Sequence, residues 1–185
     1  MRNPYFQTPP VVKNLLIANC VVFLAVTLIP QVHDFCAKYL YLWWLDNSFE
    51  PPFRSYQFVT YMFLHAGIGH LFSNMFALWM FGRSLEYELG SKRFLIYYMV
   101  CGIGAGLVQE VVQYAEYAMT LSHYSGVDTG LSVIPMAEYL NMMTTVGASG
   151  AVYGILLAFG MLFPNTHMFV FPIPFPIKAK FFVMG

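Results

Sequence analysis

Three polar side chains interrupt long apolar runs of this chain: His70, Asn74 and Ser149. A polar group at membrane depth is costly, so each marks a candidate functional site. His70 and Asn74 are spaced i, i+4, which puts both on one face of a helix. Both carry N–H donors of the kind that stabilise a developing oxyanion. Ser149 lies in Gly147-Ala148-Ser149-Gly150, early in an apolar run. A serine at a helix start sits beside backbone N–H groups without intrahelical partners and at the positive end of the dipole. Gly147 and Gly150 flank it without side chains, so another backbone can approach closely. This set suits nucleophilic chemistry: a hydroxyl to attack and several donors to hold the resulting negative charge.

Each feature also has a plainer reading. A Gly-x-Ser-Gly string occurs in ordinary turns and packing motifs. A lone intramembrane serine usually bonds its own i−4 carbonyl. His70 can serve as a helix-end hydrogen-bonding residue. The argument for chemistry is the combination, and it holds only if the elements bring all three residues to one depth.

Those elements are read from the gaps between charges. Of 185 residues, 58% are hydrophobic and 10% charged, against about 25% charged in a soluble domain. An aromatic content of 18% excludes disorder. A formal net charge of zero gives no reason to expect a nucleic-acid partner. Cys20, Cys36 and Cys101 make no disulfide framework, and Cys20 and Cys101 read as packed apolar residues. A crossing helix needs about 20 apolar residues. The runs predict an all-α, polytopic membrane bundle in one domain, residues 1–185. Spans are expected at about residues 12–30, 66–83, 93–113 and 147–163, with a fifth from about 177 to 185 onward. Pro164 and the proline-rich stretch 171–176 end the fourth.

With a cytoplasmic N-terminus, the inner segments hold Arg2, Lys13, Arg83, Lys92, Arg93, Lys178 and Lys180, and the outer ones only Lys38 and Arg54. Inner loops carry such an excess, so this orientation is expected. Spans two and four then run the same way, and His70, Asn74 and Ser149 start near the outer leaflet together. The outer segment 31–57, with Tyr39, Tyr41, Trp43 and Trp44, reads as partly helical and interfacial. Gly150, Gly154 and Ala158 form a small-residue stripe for a helix that need not lie in this chain, and Gly102 and Gly106 another packing face. Glu86 and Glu88 read as a solvated inner loop beside Lys92 and Arg93, and Glu110 and Glu116 as outer-interface residues. His65 is expected to make a structural hydrogen bond, and His33, His123 and His167 to lie at the interface.

His70-Leu-Phe-Ser-Asn74-Met75, then Gly82, Glu86 and Gly90, then Gly147-Ala-Ser149-Gly150 with Tyr153-Gly154, resemble a rhomboid intramembrane serine protease over roughly residues 55–165. The resemblance implies a core of six transmembrane helices and an endopeptidase that cleaves transmembrane segments of other membrane proteins. It implies Ser149 as nucleophile, and His70, Asn74 and the Ser149 N–H as the oxyanion hole. Gly147 would be the first glycine of the motif, Tyr153 would pack on the catalytic histidine, and His65 would be a structural histidine. No metal or organic cofactor is implied. The expected setting is a bilayer, that of a bacterial inner membrane.

Two positions depart from the family. Tyr56-Gln57 stands where Trp-Arg is common, and no Ala-His-x-x-Gly string, which would carry the general base on the sixth span, occurs in residues 1–185. Loss of such a histidine costs about 10⁶ in rate, roughly 8 kcal/mol. Residues 1–185 alone are therefore expected to be inactive, as the N-terminal part of a longer active protein. The alternatives are a non-catalytic rhomboid-like protein that binds membrane helices, and a transporter subunit. The latter is disfavoured because spans one and three supply few polar residues.

Overall fold

Prolines set the first boundaries in the computed structural model, which describes residues 7–44, 53–130, 132–168 and 176–184. Helix α1 is Pro10–Leu28 and α2 is Pro30–Tyr39, each with proline in its first turn. The missing N–H costs nothing there, because a first-turn donor has no intrahelical acceptor. A short strand β1, Leu42–Trp43, follows, then a one-turn helix α3, Gln57–Thr60, and a 3₁₀ turn, Tyr61–Phe63. Residues 45–52 of the outer segment and 171–175 of the proline-rich stretch lie outside the described residues.

The second long element is continuous but not uniform. Helix α4, Ile68–Ala77, passes through a π-helical turn, Leu78–Gly82, into α5, Arg83–Leu89. Gly90, at φ 79°, ends it in a conformation that favours glycine. Helix α6, Ser91–Glu116, is prolonged by a π-helical turn, Tyr117–Leu121. A hairpin of β2, Gly126–Asp128, and β3, Val133–Pro135, leads to α7, Met136–Met142, and then β4, Thr144–Thr145. Helix α8 is Ser149–Leu162; β5, His167–Met168, pairs with β6, Ile177–Lys178, ahead of α9, Ala179–Met184.

Two helices, Pro10–Leu28 and Ser91–Leu121, are long and apolar enough to cross a membrane; Ser149–Leu162 is apolar but shorter. The core lies between α1, α4, α6 and α8, built on Val12, Leu78, Phe94, Tyr98 and Ile155. One line of α6 faces it at strict i, i+4 spacing: Phe94, Tyr98, Gly102, Gly106 and Glu110 are all buried. Gly102 packs on Met62, and Gly106 on Phe58 and Tyr61.

Three sequence expectations are corrected here. Glu86 is not solvated: it is 2% exposed, because α5 continues the helical face of α4 inward. Its Oε1 accepts Val11 N at 2.9 Å and its Oε2 accepts Val12 N at 2.7 Å, so it caps α1 just after Pro10. Ser91 Oγ also donates to Oε1 at 2.7 Å. Glu110 is buried rather than interfacial, because it continues the inward line of α6. The Gly150/Gly154 stripe has its partner in this chain: Gly150 packs on Ala105, Gly154 on Cys101, and Tyr97 Oη donates to Gly154 O at 2.7 Å. A small-residue stripe permits close approach without naming the helix that approaches.

Candidate active site

Ser149 is the first residue of α8, and Val152 N closes the first turn onto Ala148 O at 3.0 Å. The N–H groups of Ser149, Gly150 and Ala151 therefore have no acceptor within the helix. The Ser149 side chain is half-buried and its hydroxyl makes no hydrogen bond among the described residues. The plain alternative, a bond to its own i−4 carbonyl, is not formed.

The loop before Ser149 is held from three sides. Gly147 N donates to Tyr61 O at 2.9 Å. Strand β4 pairs antiparallel with β1, Thr145 opposite Leu42 and Thr144 opposite Trp43. Tyr61 is itself fixed to α6 by a 2.6 Å bond from its Oη to Gly102 O. Sequence reasoning missed Tyr61 and β1 as supports of the serine loop. Nothing local marks them, because their partners lie far along the chain.

Gly147 is where α4 and α8 meet. Its φ is +125°, a region that side chains rarely adopt. A Cβ there would lie 2.6 Å from His70 Cε1, 2.7 Å from His70 Nε2 and 3.7 Å from Ser149 Oγ. The imidazole of His70 and the hydroxyl of Ser149 thus border one small space that only glycine leaves open. Asn74 lies one turn inward on the face of His70, 5% exposed, and its Nδ2 donates to His70 O at 3.0 Å.

His65 sits in the loop ahead of α4, its ring 5.1 Å from that of His70 and nearly edge-on at 67°. Its expected structural hydrogen bond is a loose one to the Phe63 backbone, since neither buried ring nitrogen makes a bond of strict geometry. Burial first, and then the neighbouring His70, hold its pKa down to about 4, so it is neutral at physiological pH. Tyr153 is 72% exposed, and the histidine that the resemblance sets against it is not among residues 1–185. His33, His123 and His167 are exposed, and among the described residues His33 alone of the three is close to a carboxylate, that of Asp34 at 3.3 Å. Among the described residues no group of three or more His, Cys, Asp and Glu side chains is placed to hold a metal ion.

The chain is similar to known proteins. The family model described as Rhomboid domain matches residues 52–185. The chain is 31% identical over 176 residues to the mitochondrial Rhomboid protein 1 of Saccharomyces cerevisiae, covering 92% of this chain and 42% of that protein. It is 31% identical over 170 residues to the mitochondrial RHOMBOID-like protein 12 of Arabidopsis thaliana, covering 90% of this chain and 46% of the relative. It is 29% identical over 121 residues to Rhomboid protease GluP of Bacillus subtilis, covering 65% and 24%. The chain thus spans less than half the length of these relatives. They come from mitochondria as well as bacteria, so they do not single out the bacterial inner membrane. On its family match, the chain belongs to the rhomboid family.

Proposed function

We propose that this chain carries the nucleophile and oxyanion-binding half of an intramembrane serine endopeptidase that cleaves transmembrane segments of other membrane proteins. One observation carries the reading: the unbonded hydroxyl of Ser149 and the imidazole of His70 border the same gap over Gly147. A substrate carbonyl carbon placed there would meet Ser149 Oγ. As the new C–O bond forms, the carbonyl oxygen takes the negative charge and is held by the His70 ring N–H, the Asn74 amide and the Ser149 backbone N–H. The serine proton passes to a general base and then to the leaving amine, which departs as the C–N bond breaks. By the resemblance that base is a histidine on a sixth helix, in an Ala-His-x-x-Gly string that residues 1–185 do not contain.

The membrane placement belongs to the same proposal. Four spans and the start of a fifth would cross the bilayer with the N-terminus cytoplasmic, and substrate would enter sideways from lipid. Ser149 at the start of a 14-residue helix supports this. A short helix begins below the surface, where a polar, water-reached recess is tolerated because protein surrounds it.

The second reading is a non-catalytic binder of membrane helices, which needs the same bundle and no base. A fluorophosphonate probe on the full-length protein in detergent separates the two. Labelling that disappears in Ser149→Ala is expected. Equal labelling of the wild type and the variant, or none of either, would end the enzyme reading.

A further inference from the structure

The outer end of the bundle carries a recess beside the gap over Gly147. It holds about 650 Å³ between the end of α1, the start of α2 and the loop ahead of α4. Phe23 and Val26 of α1 and Ile68 of α4 give it apolar walls, and the exposed pair His33 and Asp34 of α2 stands at its rim. His65 lines it too, and the His65 ring lies 5.1 Å from that of His70. His70 in turn borders the gap over Gly147. Recess and gap are thus neighbours across two imidazole rings. An extended chain rises about 3.3 Å per residue, so a side chain about two to four places from the scissile bond reaches the recess. In the orientation proposed above, it lies near the outer headgroups.

We infer, resting on the proposed function, that this recess is a subsite for a basic residue of the substrate. A lysine or arginine would lay its stem along Phe23, Val26 and Ile68 and set its cationic head at Asp34. Long basic side chains bury an apolar stem while the head stays in water, which matches apolar walls under a charged rim. The charge at that rim has no cationic partner. Asp34 Oδ1 faces His33 Nδ1 at 3.3 Å, and the carboxylate has no other partner among the described residues. Lys38, one turn along α2, does not pair with it; its ammonium lies over the Tyr39 ring at 5.5 Å. Among the described residues no lysine or arginine lines the recess. A glutamate in the substrate would be repelled at the rim, and a leucine would cover the walls without meeting Asp34. The Asp34 side chain is 83% exposed, so solvent screening keeps the preference small, about two- to fivefold in affinity. Reversal of the preference when the charge is swapped is therefore a sharper reading than its size.

Binding to the full-length Ser149→Ala protein in detergent reads the subsite without requiring turnover. The probes are fluorescent synthetic transmembrane peptides of about 20 leucine and alanine residues. Each carries an Ala-Gly pair near its outer end and one guest residue, placed in turn at the neighbouring positions. The guests are lysine, glutamate and leucine, and fluorescence anisotropy gives the affinity. At one guest position lysine is expected to bind about two- to fivefold tighter than leucine, and glutamate weaker than either. Asp34→Asn should erase the difference between lysine and glutamate, and Asp34→Lys should reverse it. Val26→Trp, which fills the recess, should abolish the guest preference without touching a charge. Leucine preferred at every position, affinity indifferent to the guest or absent altogether, or a lysine advantage that persists in both Asp34 variants would each overturn the subsite. Labelling of Ser149 in the wild type by the fluorophosphonate probe is read separately, so the protease reading and the subsite can fail independently.

Discussion

The two ends of the α4–α5 element treat polar groups in opposite ways. At the end that the proposed orientation makes the inner one, Glu86 is buried and fully committed, its two oxygens taking Val11 N, Val12 N and Ser91 Oγ. At the outer end, among the described residues, the Ser149 hydroxyl makes no hydrogen bond and neither nitrogen of buried His65 makes one of strict geometry. Both ends pay for bringing polar atoms into an apolar bundle, but only the inner one recovers the cost in its own structure. Unsatisfied capacity at the outer end is what a reacting carbonyl or water would use. The inner end joins α1 to α5 and holds the frame against which the outer end stays open.

The largest effects should separate the ends by what they disturb. Ser149→Ala in the full-length protein is expected to remove cleavage of a transmembrane substrate by about 10⁶, roughly 8 kcal/mol of barrier. It should leave the thermal midpoint within a degree or two, because an unbonded hydroxyl contributes little to folding. Glu86→Ala should do the reverse. It orphans one buried and one half-buried N–H at the start of α1, at up to about 1–3 kcal/mol each, and should lower the midpoint by several degrees. Ser149 labelling at low temperature should survive. A large stability loss in Ser149→Ala, or none in Glu86→Ala, would remove the contrast between anchor and site.

Gly147→Ala tests the seam of the outer end and should have a smaller effect. The added methyl would meet the His70 ring at 2.6 Å, and φ +125° is strained for alanine by about 1–3 kcal/mol. Either the ring or the loop must move. Substrate cleavage is expected to fall by about 10–100-fold, with a modest loss of stability. Activity equal to wild type would show that the gap over Gly147 is not where the carbonyl sits.

How legible all this is in the sequence depends on the range of each interaction. The meeting of His70 with the Gly147–Ser149 loop is foreshadowed by local signs: polar residues inside apolar runs, an i, i+4 pair, and glycines around a serine. The mostly helical architecture follows from composition and from proline punctuation. Glu86 is misread because its partners, Val11 and Val12, lie 75 and 74 residues away, while Lys92 and Arg93 nearby suggest an ordinary charged loop. Glu110 is misread for a related reason: its line of Phe94, Tyr98, Gly102 and Gly106 shows which way it faces, but a carboxylate near the end of an apolar run invites an interfacial assignment. Tyr61 is invisible in sequence as a support because it holds Gly147 through a backbone carbonyl, which any residue has.

The smallest expected effect is a pH dependence of the outer end through His65. Its pKa of about 4 lies below the ordinary histidine value, with burial the main cause and His70 the second. The unfolded chain therefore binds a proton that the folded chain refuses across the window from about 6.5 down to about 4. Stability from this group is unchanged above about pH 6.5, falls as the pH drops through the window, and levels off below about 4. Thermal midpoints of the wild type and of His65→Gln, measured between pH 7.5 and 4.5, isolate the contribution. The wild type should lose more than the variant on acidification, because glutamine has no proton to bind. Parallel curves would mean that His65 is hydrated rather than dry. The outer end would then already hold water, whereas Glu86 at the inner end is committed to α1.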